Sequence, residues 1–300
     1  MNVLTKSVAT ETEERTPSGI RIIWREILRD KIALFSFLLV ALIALAVYGI
    51  SLFLDQAQIV SVDLFAMYEP PSAQYWLGTD YGGRDIFGQL FIGTRNSLSV
   101  GILVTLISGT TGILVGLFAG YFGGWVDNVL MRILDFFQSL PTIMLIIVFV
   151  TMVPKYNVPT FSLIMSIFLW MGIARIIRAK AMQESSLEYV HAARTLGSSH
   201  FKILFGHVLP NIMSLIIVTM TLNLAANIGI EASLSFLGFG FPESTPSLGT
   251  LIGYARNPQV LELRPWIWLP ASLLIFILML CINNVGQALK RATDAKQRRG

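Results

Sequence analysis

The sequence predicts an all-α integral membrane protein with six transmembrane helices, and three observations carry that prediction. The 300 residues are 54% hydrophobic and only 13% charged, with a mean hydropathy of +0.67. A soluble chain of this size carries about a quarter charged residues. Six apolar runs approach or exceed the roughly 20 residues that cross a hydrocarbon core. Finally, Lys and Arg are shared unevenly between the loops that separate those runs. The same composition excludes a disordered chain, which needs low hydrophobicity and high charge. A single cysteine, Cys281, excludes a disulfide scaffold.

The first run is Ile32 to Phe53 and the second Ser97 to Phe118. The third, Asn128 to Val153, confines Arg132 and Asp135 to its first two turns. The fourth, Phe161 to Ile177, is shorter and continues into Arg175, Arg178 and Lys180. Asn211 to Ile230 and Trp266 to Leu289 are uncharged. Six crossings put both termini on one side, with the loops after the second and fourth runs. That side holds 17 of the Lys and Arg residues and the other side 5, which places the termini in the cytoplasm. Ala44-Leu45-Ala46 has the form of a signal cleavage site. The apolar run begins only after 31 residues and is too long for a signal peptide, so it reads as a retained anchor.

This divides the chain into a cytoplasmic segment (1–31), a six-helix transmembrane domain (32–289) and a basic cytoplasmic tail (290–300). Ile20, Ile23, Trp24, Ile27 and Leu28 share a helical face opposite Arg21, Arg25 and Arg29. That pattern suits a helix lying in the inner interface, or equally an extension of the first span. Gly112, Gly116 and Gly120 recur at four-residue spacing in the second run, which favours close packing within the chain or against a partner subunit. Gly120 to Gly124 predicts a tight inner turn. Two regions are too elaborate for connectors: an inner loop at about 180–210 and an outer segment from Glu231 to Pro265.

No glycine-rich phosphate loop with a following Lys and Ser or Thr occurs, nor any HExxH or GxSxG pattern. His191, His200 and His207 cluster in the inner loop, but their spacing matches no metal-ligand pattern. Asp80 and Asp85 could hold a cation, yet the simpler expectation is that Asp80 caps a short helix and Asp85 pairs with Arg84 or Arg95. Arg132 and Asp135 are expected to pair at the inner interface. Asn223, Asn227 and Glu231 form one polar stripe on the fifth run, a candidate translocation path or a set of interhelical hydrogen bonds. In the inner loop, a helix opening near Glu188 ends at Gly197 in the left-handed position. Ser198 or Ser199 then caps a second helix, which Pro210 ends. With Ala192 and Ala193 on a smooth surface, this helix–turn–helix suits docking into a groove of a soluble partner, or serves as an amphipathic connector.

That loop resembles the EAA motif of ABC importer membrane subunits, with Ala192, Ala193, Gly197, Leu209 and Pro210 in register. His191 stands for the glutamate and His207 for the isoleucine. Leu77 to Ile86 looks like the LGTDxxGRD signature of the C-type permease subunits of dipeptide, oligopeptide and nickel importers, carried here by Gly78, Thr79, Asp80, Gly83, Arg84 and Asp85. Gly120 to Asp127 and Glu231 to Gly240 match further stretches of that family, while Gln287 and Arg291 replace its usual aspartates. The resemblance implies a type I ABC importer permease fold and a transport subunit that is not itself an enzyme. It implies a second homologous permease, two ATPase subunits that hold ATP and Mg, an extracytoplasmic solute-binding protein and a peptide substrate, in a bacterial cell membrane and without nucleic acid. The loop with Glu188, Ala192, Ala193, Gly197, Leu209 and Pro210 would couple to the ATPases. Nickel or another small solute is the alternative cargo, and a stand-alone secondary transporter the weaker alternative mechanism.

Overall fold

A computed structural model describes residues 28 and 30–297, with side chains through residue 293. Most of the interfacial helix expected over residues 20–31 (20–27 and 29) lies outside the described residues. The long apolar runs become α1 (Lys31–Ser51), α3 (Ile86–Phe122), the pair α4 (Gly124–Gln138) and α5 (Thr142–Thr151), α6 (Val158–Ser185), α9 (Leu209–Leu237) and α12 (Pro265–Gln297). Between them lie the short helices α2 (Gln56–Ile59), α7 (Glu188–Thr195), α8 (His200–Ile203), α10 (Leu248–Gly253) and α11 (Pro258–Leu263). No strand occurs among the described residues.

The third span departs from expectation. Instead of one rod over 128–153, α4 and α5 meet at 77°. Pro141 explains the break: it has no N–H to donate and disfavours helical backbone at Leu140 before it. The fourth span is longer than its apolar run, 28 residues, because α6 continues as helix through its basic end. The last helix likewise runs past Leu289 to Gln297.

The seam between α3 and α6 is closely packed. A methyl group at Gly112, Gly116 or Gly120 would come within 2.5–2.7 Å of the carbonyl oxygen of Trp170, Ala174 or Arg178. Small residues thus let two backbones touch, where packing and not a hydrophobic gradient holds helices together in lipid. Around this seam, Phe161, Met165 and Phe168 pack with Leu134, Ile146 and Val150. Ile228, Leu248, Ile267 and Leu278 join α9, α10 and α12. On the periphery Leu45 is 75% exposed, and Ile32, Phe35, Leu38 and Leu42 also face outward, as a lipid-facing helix requires.

The ion pairs sit towards the ends of the bundle. Asp30 caps α1 through the Ile32 and Ala33 amides and pairs with Arg291 of α12 at 2.5 Å. The N-terminal end of α1 and the C-terminal end of α12 therefore lie on one side. Arg178 of α6 donates to both carboxylate oxygens of Asp127 of α4 through Nε and one terminal guanidinium nitrogen. Asp135 pairs with Arg175 of α6 at 2.7 Å, not with Arg132 as expected; a neighbour across the helix interface offers it a better-aimed donor than one on its own helix.

Candidate functional site

Three sets of residues were expected to carry function, and they occupy three levels of the bundle. At one end, Leu77 to Ile86 forms a compact loop in which Gly78 and Gly83 take positive φ values of 69° and 71°. Thr79 is fully buried; its hydroxyl donates to the Ala66 carbonyl at 2.5 Å and accepts from the Glu69 amide. The two aspartates exchange the roles assigned to them from sequence. Asp85 is the cap, accepting from the Phe87 and Gly88 amides at the start of α3. Asp80 is the buried partner, accepting from the Gly82 and Arg84 amides and from Gln89 Nε2, 3.5 Å from the Arg84 guanidinium. The three-residue offset from Asp85 to Gly88 meets the first free amides of a long helix, which the loop around Asp80 does not offer. Arg95 bonds Gln56 at 3.0 Å.

Three residues not singled out in the sequence, Tyr81, Glu243 and Tyr254, complete this cluster. Arg84 donates to Glu243 at 2.8 Å and to the Tyr81 hydroxyl at 3.1 Å. The Tyr254 hydroxyl lies 3.4 Å from Asp80. Burial alone would depress the Arg84 guanidinium, but the Glu243 hydrogen bond and the Asp80 charge hold it above its ordinary value. Burial pushes the Tyr254 hydroxyl up, and the Asp80 charge pushes it the same way. Glu243 would be raised by burial, yet its bonds to Tyr81 and Arg84 bring it below the ordinary carboxylate value of 4.5. A depressed carboxylate stabilises the fold above its unfolded value and loses that contribution as pH falls through the folded one. The thermal midpoint of the wild type is therefore expected to fall relative to Glu243→Gln as pH drops below 4.5. Parallel melting curves of the two proteins from pH 7 to pH 3 would contradict the link.

At mid-height, the polar stripe on α9 faces mainly protein. Asn227 is buried and donates to Thr105 Oγ1 of α3 at 2.9 Å. Glu231, also fully buried, accepts from Ser97 of α3 at 2.7 Å and from Ser235 at 2.8 Å. Ser97 in turn accepts from the Leu248 amide, which opens α10. Asn223 is half-buried and donates to the Thr219 carbonyl of its own helix. Two of the three stripe residues thus join α9 to α3.

At the opposite end, Glu188 opens α7, where a carboxylate complements the helix dipole. Gly197 has φ 79°, and the Ser198 amide bonds the Ala193 carbonyl while the Gly197 amide bonds that of Arg194. This pair of bonds is the Schellman ending, and the left-handed residue it needs is nearly free only for glycine. Ser199 caps α8. Pro210 does not end the second helix. A π turn over Leu204–Val208 carries α8 into α9, with Pro210 in the first turn of α9. The widened turn loosens the hydrogen-bond ladder just where proline has no N–H to give. The two alanines part company: Ala192 is exposed, whereas Ala193 is half-buried against the core of Val190, Ile203 and Val208. Leu196 is 85% exposed and Phe201 63%, while Leu209 is half-buried.

Comparison with known proteins decides what family this arrangement belongs to. Residues 112–299 match the family described as binding-protein-dependent transport system inner membrane component. The chain belongs to this family. An oligopeptide transport system permease protein of Lactococcus lactis subsp. cremoris is 44% identical over 281 residues, covering 93% of this chain and 96% of that protein. A dipeptide transport system permease protein of Bacillus subtilis is 35% identical, covering 92% and 85%. A glutathione transport system permease protein of Pectobacterium atrosepticum is 34% identical, covering 97% and 95%. The family match contains the stripe and the loop; the LGTD signature precedes it and falls in the region only the full-length relatives cover. Within this permease family the chain is of the C-type, as its motifs indicate.

Proposed function

We propose that this permease forms half of the translocation path of an ABC importer for peptides, in a bacterial cell membrane. The observation that carries the reading is the helix–turn–helix of α7 and α8, which presents Ala192, Leu196 and Phe201 outward. The long helices α6 and α9 rise directly from its two ends. A partner that moves this loop moves two spans, as a rigid-body transition between two states requires. The loop and both termini are cytoplasmic, and two ATPase subunits that hold ATP and Mg dock on the loop. A second permease supplies the other half of the path, and an external binding protein delivers solute near the Asp80–Arg84–Glu243 cluster. Asn223, Asn227 and Glu231 border the path, the last two becoming accessible as α9 and α3 part. The oligopeptide and dipeptide names of relatives that align over most of the chain support a peptide cargo.

Purification of the tagged chain from its native membrane in mild detergent tests the reading. A second six-span protein and ATPase subunits with nucleotide-binding motifs are expected at near-equal stoichiometry. Recovery of this chain alone, folded and transporting in liposomes without ATP, contradicts it.

A further inference from the structure

We infer that Tyr121 is a positioning residue for transport: it clasps the inner end of α3 to both helices of the coupling loop, so that α3 carries the motion of that loop to the external cluster. The inference rests on the peptide-importer reading above and names a route within it.

Three long helices meet the coupling loop. Two of them, α6 and α9, are joined to it by the chain itself. The third, α3, reaches it only through side chains, and those contacts are specific. The Tyr121 hydroxyl lies 2.9 Å from His200 Nδ1 at the start of α8. The Arg194 guanidinium, from the last turn of α7, sits 4.8 Å over the Tyr121 ring, a cation–π contact. One buried tyrosine thus holds both loop helices on opposite sides of the Gly197 turn. Phe118 and Phe122 flank it, edge-on to Phe201 and Phe205 and against His200 respectively.

The other end of the same helix is fastened as firmly. Asp85 caps it, Gln89 bonds Asp80, Asn96 donates to the Pro246 carbonyl at 2.7 Å and Ser97 accepts from the Leu248 amide. At 37 residues, α3 is about 55 Å long, well beyond the roughly 30 Å of a hydrocarbon core. It has no internal proline, and its glycine face lies on the backbone of α6, which stiffens it against bending. A rod fixed at both ends transmits displacement, and at its inner end the polar link to the loop helices is the Tyr121–His200 hydrogen bond, set among ring contacts and the packing of Leu117 with Ile203 and Leu204. Tyr121→Phe removes one oxygen while keeping the ring under Arg194 and beside Phe122. His200→Ala removes the partner of that oxygen.

The test uses the complete importer with its binding protein in proteoliposomes, and reads peptide imported per ATP hydrolysed. Tyr121→Phe and His200→Ala are each expected to lower this ratio about fivefold, the worth of one hydrogen bond. The double variant is expected to be no lower than His200→Ala alone, because the hydrogen bond that Tyr121→Phe removes is already lost there. Should His200→Ala fail to assemble, His200→Phe keeps the ring contact and takes its place. A wild-type ratio in the Tyr121→Phe importer, or effects that add in the double variant, overturn the clasp while leaving the importer reading intact. Absence of ATP-driven import by the wild type overturns both.

Discussion

Glutamate at Ala192 is expected to uncouple ATP hydrolysis from uptake while the membrane domain stays folded. Ala192 faces outward from α7, so a charged, longer side chain there would act on the proposed docking face and not on the packing of the loop. Ala193, one residue on, packs against Val190 and Ile203; charge at that position would disturb the loop itself and confuse the readout. Gly197 offers a second probe. Nothing lies within 4 Å of the position a Cβ would take there, but its φ of 79° makes an L-residue strained by about 1 kcal/mol. Ala192→Glu should lower uptake about tenfold or more, corresponding to loss of roughly 1.4 kcal/mol at an interface, with the thermal midpoint of the purified complex unchanged. Undiminished uptake at normal expression would remove the docking role from this face.

Leucine at Gly116 is expected to abolish the folded complex. A methyl group there already comes within 2.5 Å of the Ala174 carbonyl oxygen and 2.9 Å of the Arg178 amide nitrogen. These are backbone atoms that cannot swing aside, so α3 and α6 must move apart along the seam. Overpacking typically costs about 1–3 kcal/mol, and a forced backbone shift between two long helices lies at or above the top of that range. Gly172 on α6, with open space around its Cβ position, should accept alanine without loss within this chain. Size-exclusion profiles and melting of the purified proteins check both. A monodisperse Gly116→Leu complex with an unchanged midpoint would contradict the seam.

The fold was legible where composition and periodicity act alone. Five of the six apolar runs became helices long enough to cross a membrane and the third became the bent pair α4–α5, since a helix satisfies its own backbone groups in lipid, and the glycine spacing in the second run marked the seam. The Gly197 turn and the Ser199 cap were also readable, since both depend on local backbone geometry. What was not legible depended on neighbours distant in the chain. Glu243 meets Arg84 across 159 residues, and nothing near either residue announces the pairing. Asp80 and Asp85 are equivalent in the sequence, and only the starting point of α3 decides which caps and which is buried. Asp135 had two candidate cations within reach, and α6 supplied the one it uses. Pro210 looked like a terminator because a proline normally breaks the ladder; the π turn before it removes that conflict. Tyr121 carried no signal beyond its place beside the Gly123 turn, for its partners His200 and Arg194 lie more than seventy residues away.

On the proposed function, this permease moves its cargo on energy supplied by ATPases docked at the α7–α8 loop. The most direct measurement is uptake of labelled oligopeptide into proteoliposomes holding the purified complex and its binding protein, with ATP supplied on the side of the loop and a protonophore present or absent. Uptake is expected to require ATP and to be indifferent to the protonophore. Uptake without ATP that collapses when the protonophore is added would contradict the proposed function and make the chain an ion-driven carrier.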